Sequence, residues 1–292
     1  MNRFESIQSQ FSAAATRYTT SRYHADSPDL DAMLAAVDLR GDERVLDIGT
    51  GVGHTAVAFA PRVSEVVALD LTAAMLDEAR GLASRRGVDN VRFELGDAMA
   101  LPFPDDSFDV VTCRVCAHHF EDPAAAVREI ARVLRPGQAS GAGQPQRAGQ
   151  PSEAGGTLLL VDSVSPEDPA QDTFLNCIEV LRDPSHVRNH SLSQWQQMLA
   201  DAGLASECLN VWRVPLEFQD WVERMRTPQL ECQQLRSLFE RATDDICSAF
   251  NLKTGSHWGF SIPIGFLRAR LTADGVGDPQ SGESFGFTAI DA

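Results

Sequence analysis

The segment best suited to binding a ligand lies at residues 45–54, which read VLDIGTGVGH. Glycine is favoured where the backbone takes a positive φ or where a ligand must approach without a Cβ in the way. The glycines are spaced as Gly-x-Gly-x-Gly, and His54 stands where a dinucleotide fingerprint has its last glycine. A pyrophosphate-binding turn is therefore disfavoured. The alternative for any glycine turn is a role in strand-to-helix geometry alone.

Two acids stand at comparable places further along the chain. Asp70 ends the apolar run that begins at Val66, and Asp97 follows the run at residues 91–95. A carboxylate at Asp70 can accept hydrogen bonds from both hydroxyls of a ribose, and its alternative role is to cap the next helix. Asp97 by itself is typical of a turn residue. A glycine turn and two acids at three successive strand ends together favour one binding edge.

Four histidines are candidates for accepting a proton in a reaction: His118, His119, His186 and His190. Imidazole changes its charge near neutral pH, which suits general acid–base chemistry. The alternative for each of them is a place at a helix start or in the core, and the sequence leaves this open.

The thiols of Cys113 and Cys116, which precede two histidines, invite a metal-binding interpretation. Alternation along a strand predicts that the two side chains face opposite sides of the sheet, and no second Cys-x-x-Cys follows. One such pair supplies too few ligands for a zinc site. We therefore expect no metal.

Composition narrows the choice of partner and compartment. The 292 residues include 41 acidic and 25 basic side chains, and the formal charge of -16 repels phosphate backbones and anionic lipid. We therefore expect no nucleic acid partner. The first ten residues lack an apolar signal segment, and no stretch approaches the ~18 apolar residues of a membrane span. With six cysteines and no secretory signal, we expect a cytoplasmic protein without stable membrane insertion.

Short apolar runs alternate with helical patterns in the first half of the chain. The runs predict strands at residues 44–48, 66–69, 91–95, 108–113 and 157–161. Thr72 begins a helical pattern that ends at Gly87, and Asp122 begins another that ends at Pro136. This alternation predicts a parallel sheet covered on both faces, with ligands at the carboxyl ends of its strands.

The two ends of the chain are more helical. The patterns predict helices at residues 4–18, 27–37, 168–181, 193–202 and 230–249, and closing strands at residues 204–214 and 256–269. Ser193 and Gln196 fit a Ser-x-x-Gln capping box at the start of the helix predicted at 193–202.

Two segments differ from the rest in composition. Residues 138–155 contain no large apolar side chain and cannot repay the entropy of ordering, so we expect a flexible low-complexity insertion at a turn. Residues 274–292 are Gly-rich and polar and are expected to be a disordered tail. The remaining residues, 1–273, are expected to form a single domain, with a helical cap at 1–40 and the sheet core and helical substrate region at 41–137 and 156–273.

Several motifs within residues 45–162 resemble those of the class I S-adenosylmethionine-dependent methyltransferases. They are LDIGTGVG at 46–53, ALDL at 68–71, GDA at 96–98, LPF at 101–103, SFD at 107–109 and LRPG at 134–137. The segments TCR at 112–114, AHHF at 117–120 and LRDPSH at 181–186 extend the resemblance to the ubiquinone/menaquinone-methyltransferase-like group and its YcgJ-like branch. The resemblance implies a Rossmann-like, doubly wound α/β sheet of seven strands, mostly parallel with an antiparallel last strand, with additional N-terminal and C-terminal helices.

The resemblance also implies S-adenosyl-L-methionine as cofactor and S-adenosyl-L-homocysteine as product. The positions implied to bind this cofactor are Asp47, Gly49, Gly51, Gly53, Asp70, Leu71, Asp97, Ala98 and Arg114. Among them Asp70 would bind the ribose, and Asp97 the edge of the adenine. The candidate catalytic residues are His118 and His119, and the candidate substrate-binding residues are Tyr18, Tyr23, His186 and His190.

These observations predict an enzyme that moves a methyl group from S-adenosylmethionine, by direct in-line transfer, to a small organic molecule. Carbon, oxygen and nitrogen acceptors stay open, as do the monomer and the homodimer. One alternative is an NAD(P)-dependent oxidoreductase on a similar fold, which the glycine spacing disfavours. A second is a non-catalytic module that binds S-adenosylmethionine.

Overall fold

The computed structural model describes residue 8, residues 10 and 11, and residues 28–137 and 155–271. Several predictions fall elsewhere and lie outside the described residues: most of the helix at 4–18, the candidate residues Tyr18 and Tyr23, residues 138–154 of the insertion, and the tail at 274–292. The division of the chain into one domain stays a prediction.

Seven strands form one sheet in the order β3-β2-β1-β4-β5-β7-β6. Their bounds are β1 Arg44–Ile48, β2 Glu65–Asp70, β3 Val91–Leu95, β4 Val110–Arg114, β5 Thr157–Ser163, β6 Leu204–Glu217 and β7 Gly259–Leu271. The pairs from β3 to β5 are parallel, whereas β7 runs antiparallel to both β5 and β6. The predicted fold class, with its antiparallel last strand, is confirmed.

Nine helices are seen in the described part of the chain. They are α1 Pro28–Ala35, α2 His54–Phe59, α3 Ala73–Arg86, α4 Pro123–Val133, α5 Pro169–Arg182, α6 Leu192–Asp201, α7 Phe218–Arg224, α8 Gln229–Glu240 and α9 Asp244–Phe250. Short 3-10 turns follow α2 and β4, at Ala60–Arg62 and Ala117–His119. Of the helices described, none has the length and apolar character needed to cross a membrane.

The helices next to the first strands begin at the residues that the sequence indicates, but α4 ends at Val133, three residues before the predicted stop at Pro136. Gly87 ends α3 with a φ of 67°, a left-handed conformation that favours glycine. Asp122 caps α4, and its side chain accepts a hydrogen bond from the Ala125 amide at 2.8 Å. Thr72 stands at the N-cap of α3, but its side chain makes no capping bond.

Two predicted helices differ in the structure. Helix α6 is capped by Ser191, whose box partner is Gln194, so the prediction of Ser193 and Gln196 was wrong by two residues. The segment 230–249, predicted as one helix, forms α8 and α9, because Thr243 is extended and acts as the N-cap of α9. Two acids in the first turn of α9 favour a helix start there.

The core lies on both faces of the sheet. One face is covered by α4 and α6, with Ile130 and Leu199 buried among sheet residues. The other face holds an aromatic cluster from the C-terminal helices and β7, in which Phe218, Phe239 and Phe260 pack edge to face at centroid distances of 5.2 to 5.5 Å. Burial on both faces holds the strands in register, so their carboxyl ends form a fixed edge.

The capping box of α6 gives a test of the local fold. Gln194 Oε1 accepts a hydrogen bond from the Ser191 amide at 3.0 Å, so Gln194→Ala leaves that amide without its partner. We expect the free energy of unfolding to fall by about 1 kcal/mol in urea titrations. The matched control is Gln196→Ala in the same helix, for which we expect a change close to zero. Equal losses in the two variants would contradict the assignment of the cap.

Candidate functional site

A cavity of about 150 Å³ lies at the carboxyl ends of the central parallel strands. Gly49 and Gly51 line it from the turn after β1, Asp70 from the end of β2, and Asp97 from the segment after β3. Three more of the predicted cofactor-binding residues line the same cavity: Leu71, Ala98 and Arg114. The structure therefore brings together at one cavity the three strand ends that the sequence singles out.

The glycine turn has the backbone that its sequence predicts. Gly49, Gly51 and Gly53 all have positive φ, at 62°, 54° and 89°. A Cβ on Gly49 would lie 2.5 Å from Cys116 Sγ, whereas a Cβ on Gly51 would meet nothing within 4 Å. The space over Gly51 is thus open to a ligand. Gly53 does not line the cavity. It directly precedes α2, and a Cβ on Gly53 would lie 3.0 Å from the Cβ of Ala79.

Asp70 joins the glycine turn to the second strand. Its Oδ2 accepts a hydrogen bond from the Gly51 amide at 2.8 Å, and its Oδ1 accepts one from the Thr72 amide at 2.8 Å. Burial raises the pKa of Asp70 above its usual value, although both amides act in the opposite direction. The Asp70 carboxylate also lines the cavity, where a ligand can reach it. Asp70 therefore serves as a helix-start acceptor and as part of the cavity wall at once.

Asp97 is both a turn residue and a wall of the cavity. Its Oδ1 accepts a hydrogen bond from the Met99 amide at 2.9 Å, which closes the turn after β3. Ala98 beside it is buried and lines the same cavity. The turn function and the position at the cavity are therefore compatible.

Asp47 is the predicted binding residue whose surroundings differ most from the expectation. It is 1% exposed, does not line the cavity, and accepts hydrogen bonds from the Thr50 and Thr112 hydroxyls at 2.6 and 2.7 Å. Burial raises its pKa to about 6 despite these bonds. Through its hydrogen bond with Thr50, Asp47 stabilises the glycine turn.

Arg114, at the end of β4, is anchored from the N-terminal side of the chain. Its Nε lies 2.6 Å from Asp29 Oδ2, and both side chains are buried. The pair connects α1 to the cavity wall. The next residue, Val115, has a φ of 54°, which is unusual for a β-branched side chain.

The prediction that Cys113 and Cys116 face opposite sides of the sheet was wrong. Their sulfurs lie 3.3 Å apart, because β4 ends at Arg114 and the positive φ of Val115 turns the chain back. Cys113 is buried, whereas Cys116 is half-buried and packs against the glycine turn, with its Sγ 3.3 Å from the Ile48 carbonyl oxygen. Within the described residues no cluster of three or more metal-ligating side chains is found.

A second cavity, of about 90 Å³, adjoins the first. Phe11, Val115 and His119 line both of them, so these residues stand between the two. His118 and His186 line only the second, and their rings stack at a centroid distance of 5.5 Å. His190 lines neither cavity and packs against Trp195 at 5.4 Å instead.

The two neighbouring histidines have opposite electrostatic environments. Burial lowers the pKa of His118, but the charge of Asp162 and its hydrogen bond to the ring raise it more, so the pKa lies above its usual value. Burial and the nearby His118 lower the pKa of His119 to about 4. At neutral pH His119 is therefore a neutral imidazole, and its Nδ1 lies 3.1 Å from the Ser185 carbonyl oxygen.

Sequence reasoning missed Asp162 and Asp29. Asp162 lies near the end of β5 and is 1% exposed, with Oδ1 at 2.6 Å from His118 Nδ1. The signal that singled out Asp70, an acid ending an apolar run, is also present in LLLVD at 158–162. Asp29 had no such signal, because its ion pair with Arg114 spans 85 residues of sequence.

Comparison with known proteins places this architecture in a class. Residues 46–139 match a family described as "Methyltransferase domain". The chain is 39% identical over 269 residues to the uncharacterized methyltransferase YcgJ of Bacillus subtilis, which covers 92% of this chain and 98% of that protein. The crystal structure of YcgJ superposes with a TM-score of 0.75 and covers 83% of this chain and 98% of YcgJ.

A further match covers less than half of this chain. A demethylmenaquinone methyltransferase of Thermus thermophilus is 41% identical over 133 residues, or 44% of this chain and 60% of that protein. The fold, the cavity at its edge and the family match together define a class I methyltransferase, and the chain is thus an enzyme of that class. Within the class, the chain belongs to the YcgJ-like branch of the ubiquinone/menaquinone-methyltransferase-like group.

The glycine turn allows a test that separates backbone strain from steric overlap. Gly49→Ala introduces a Cβ that overlaps Cys116 at a positive φ, whereas Gly51→Ala suffers the positive φ alone. We expect Gly51→Ala to lower the free energy of unfolding by about 1 to 2 kcal/mol, and Gly49→Ala by at least about 1 kcal/mol more. Chemical unfolding of the two variants measures the difference. A smaller loss for Gly49→Ala would contradict the described packing of the turn.

Proposed function

We propose that this methyltransferase transfers the methyl group of S-adenosyl-L-methionine to a small organic molecule. The single observation that carries the proposal is the first cavity, where Gly51 and Asp70 form one wall. This wall combines a backbone without a Cβ and a buried carboxylate that lines the cavity. When bound, S-adenosylmethionine supplies an electrophilic methyl group on sulfur and leaves as S-adenosyl-L-homocysteine.

The residues of the first cavity fit the parts of an adenosyl ligand. The carboxylate of Asp70 suits the two hydroxyls of a ribose, and the apolar side chains of Leu71 and Ala98 suit the faces of an adenine ring. Gly49 and Gly51 allow the amino-acid end to approach the backbone. Asp97 and Arg114 complete the proposed wall, while Asp47 and Gly53 would act by shaping the turn.

The second cavity is the proposed site of the methyl acceptor. It shares Phe11, Val115 and His119 with the first cavity, so two ligands in the two cavities would meet at these residues. Its lining includes the apolar side chains of Trp221 and Ile264. Holding donor and acceptor in such a fixed geometry can contribute about 7 to 11 kcal/mol to catalysis by alignment alone.

The relatives and the geometry support a small-molecule acceptor. The Thermus thermophilus relative is named as acting on demethylmenaquinone, which is a small organic molecule. The net charge of -16 disfavours nucleic acid as acceptor. The candidate residues His118, His119 and His186 lie together at the second cavity, whereas His190 has no contact with it.

The proposed ribose contact gives the test. S-adenosylhomocysteine at 100 times its dissociation constant should stabilise the protein by about 2.7 kcal/mol in thermal unfolding, and NADH should not. Asp70→Asn should weaken S-adenosylhomocysteine binding by about 10-fold to 100-fold in calorimetry, since it removes a charged hydrogen-bond acceptor. The control, Asp77→Asn on the exposed face of α3, should leave the affinity unchanged.

Two results would overturn the proposal. Stabilisation by NADH alone would favour an oxidoreductase, and full affinity in Asp70→Asn would remove the ribose contact. Methyl transfer is then followed with S-adenosylmethionine that carries a labelled methyl group and an unfractionated cell extract, which contains small metabolites, protein and nucleic acid. Label in a small product supports the proposal, whereas label found only in protein or nucleic acid would contradict the small-molecule acceptor.

A further inference from the structure

Asp162 and His118 form a buried carboxylate–imidazole pair at the second cavity. Asp162 Oδ1 lies 2.6 Å from His118 Nδ1, and Asp162 Oδ2 accepts a hydrogen bond from the His118 amide at 2.9 Å. The carboxylate thus holds both the ring and the backbone of the same residue. Oδ1 also accepts a hydrogen bond from the Ser163 amide at 2.7 Å, which fixes the carboxylate itself.

The pair determines which ring nitrogen of His118 carries the proton and which one can act as a base. The pKa of Asp162 stays below its usual value because its contacts with His118 and the backbone outweigh burial, so the group is a carboxylate that only accepts hydrogen bonds. Nδ1 of His118 must therefore carry the proton, and a neutral ring has its lone pair on Nε2. In the part of the chain described, Nε2 has no hydrogen-bond partner, and the side chain is 15% exposed.

We propose that Asp162 is a positioning residue that keeps His118 in the Nδ1–H form, so that Nε2 accepts the proton of a weakly acidic hydroxyl on the methyl acceptor. This inference rests on the proposed function, because it places the acceptor in the second cavity. The acceptor's O–H bond breaks and its proton goes to Nε2. The oxygen's electron pair forms the new bond to the methyl carbon, while the pair of the carbon–sulfur bond returns to sulfur.

The surroundings of His118 favour this direction of proton transfer. The imidazolium formed is stabilised by Asp162 and, from the end of α5, by the nearby charges of Glu179 and Asp183. Arg182 pairs with Glu179 at 3.1 Å and reduces that charge in part.

The neighbouring histidines do not offer the same base. His119, with its pKa of about 4, is the weaker base of the adjacent pair. His186 stacks on His118, and its Nε2 lies 3.4 Å from Asn176 Oδ1. The cationic Arg224, the last residue of α7, also lines the cavity. Among the groups that face this cavity, His118 is thus the imidazole with the strongest support for a positive charge.

The first test needs no methyl acceptor and compares the wild-type protein with two variants. Long-range 15N–1H NMR spectra of the complex with S-adenosylhomocysteine should show His118 protonated at Nδ1 and titrating above the usual histidine value. In Asp162→Asn the pKa of His118 should fall by about one unit or more, a tenfold change in the proton equilibrium. The control is Glu217→Gln, which removes the carboxylate 3.1 Å from the exposed His257 and should leave His118 unchanged.

The second test uses 4-nitrophenol, a phenol whose anion absorbs visible light. With S-adenosylhomocysteine bound, 4-nitrophenol mixed with the wild-type protein should be ionised to a larger fraction than in buffer alone at the same pH. His118→Gln can still bond to Asp162 but takes up no proton, and should reduce this excess at least tenfold. Glu217→Gln should retain it.

Several outcomes would overturn the inference. These are a His118 protonated at Nε2 only, an unchanged pKa in Asp162→Asn, no excess nitrophenolate in the wild type, or an equal excess in His118→Gln. Calorimetry with S-adenosylhomocysteine is run on every variant. If the wild-type protein does not bind S-adenosylhomocysteine, the proposed function is refuted. If it binds and any of these outcomes is found, only the proposed role of the Asp162–His118 pair is refuted.

Discussion

The hydrogen bond from the Gly51 amide to Asp70 Oδ2, at 2.8 Å, is the contact on which the proposed site depends. It joins the turn after β1 to the end of β2 and holds a buried carboxylate against an open stretch of backbone. Burial of this charge is costly unless it accepts hydrogen bonds, and two backbone amides supply them. The carboxylate lines a cavity at the carboxyl ends of the parallel strands, which is where such sheets bind ligands.

The two walls of the proposed site are positioned by different parts of the fold. The proposed cofactor wall consists of short segments directly after strands, so the register of β1 to β4 fixes it. The proposed acceptor wall depends on elements far apart in sequence: His118 after β4, Asp162 in β5 and the helices that follow. The shape of the proposed donor wall therefore depends on strand register, whereas that of the proposed acceptor wall depends on how the helices of the second half pack.

Local signals explain what the sequence could predict. The strands at 44–48 and 91–95, the helix between Thr72 and Gly87, and the strand-end acids follow from periodicity, glycine and capping, all of which act within a few residues. The cap of α6 was misplaced because Ser191 and Ser193 both precede a glutamine three residues later. The contacts of Asp162 with His118 and of Asp29 with Arg114 link residues 44 and 85 positions apart, which no local pattern reveals.

The central claim is that the glycine turn, Asp70 and Asp97 surround one adenosyl ligand, and a crystal structure of the complex with S-adenosylhomocysteine tests it most directly. The account predicts the ligand in the first cavity, with both ribose hydroxyls within hydrogen-bond distance of the Asp70 carboxylate and the sulfur toward the second cavity. A ligand bound elsewhere, or one whose ribose has no contact with Asp70, would contradict it.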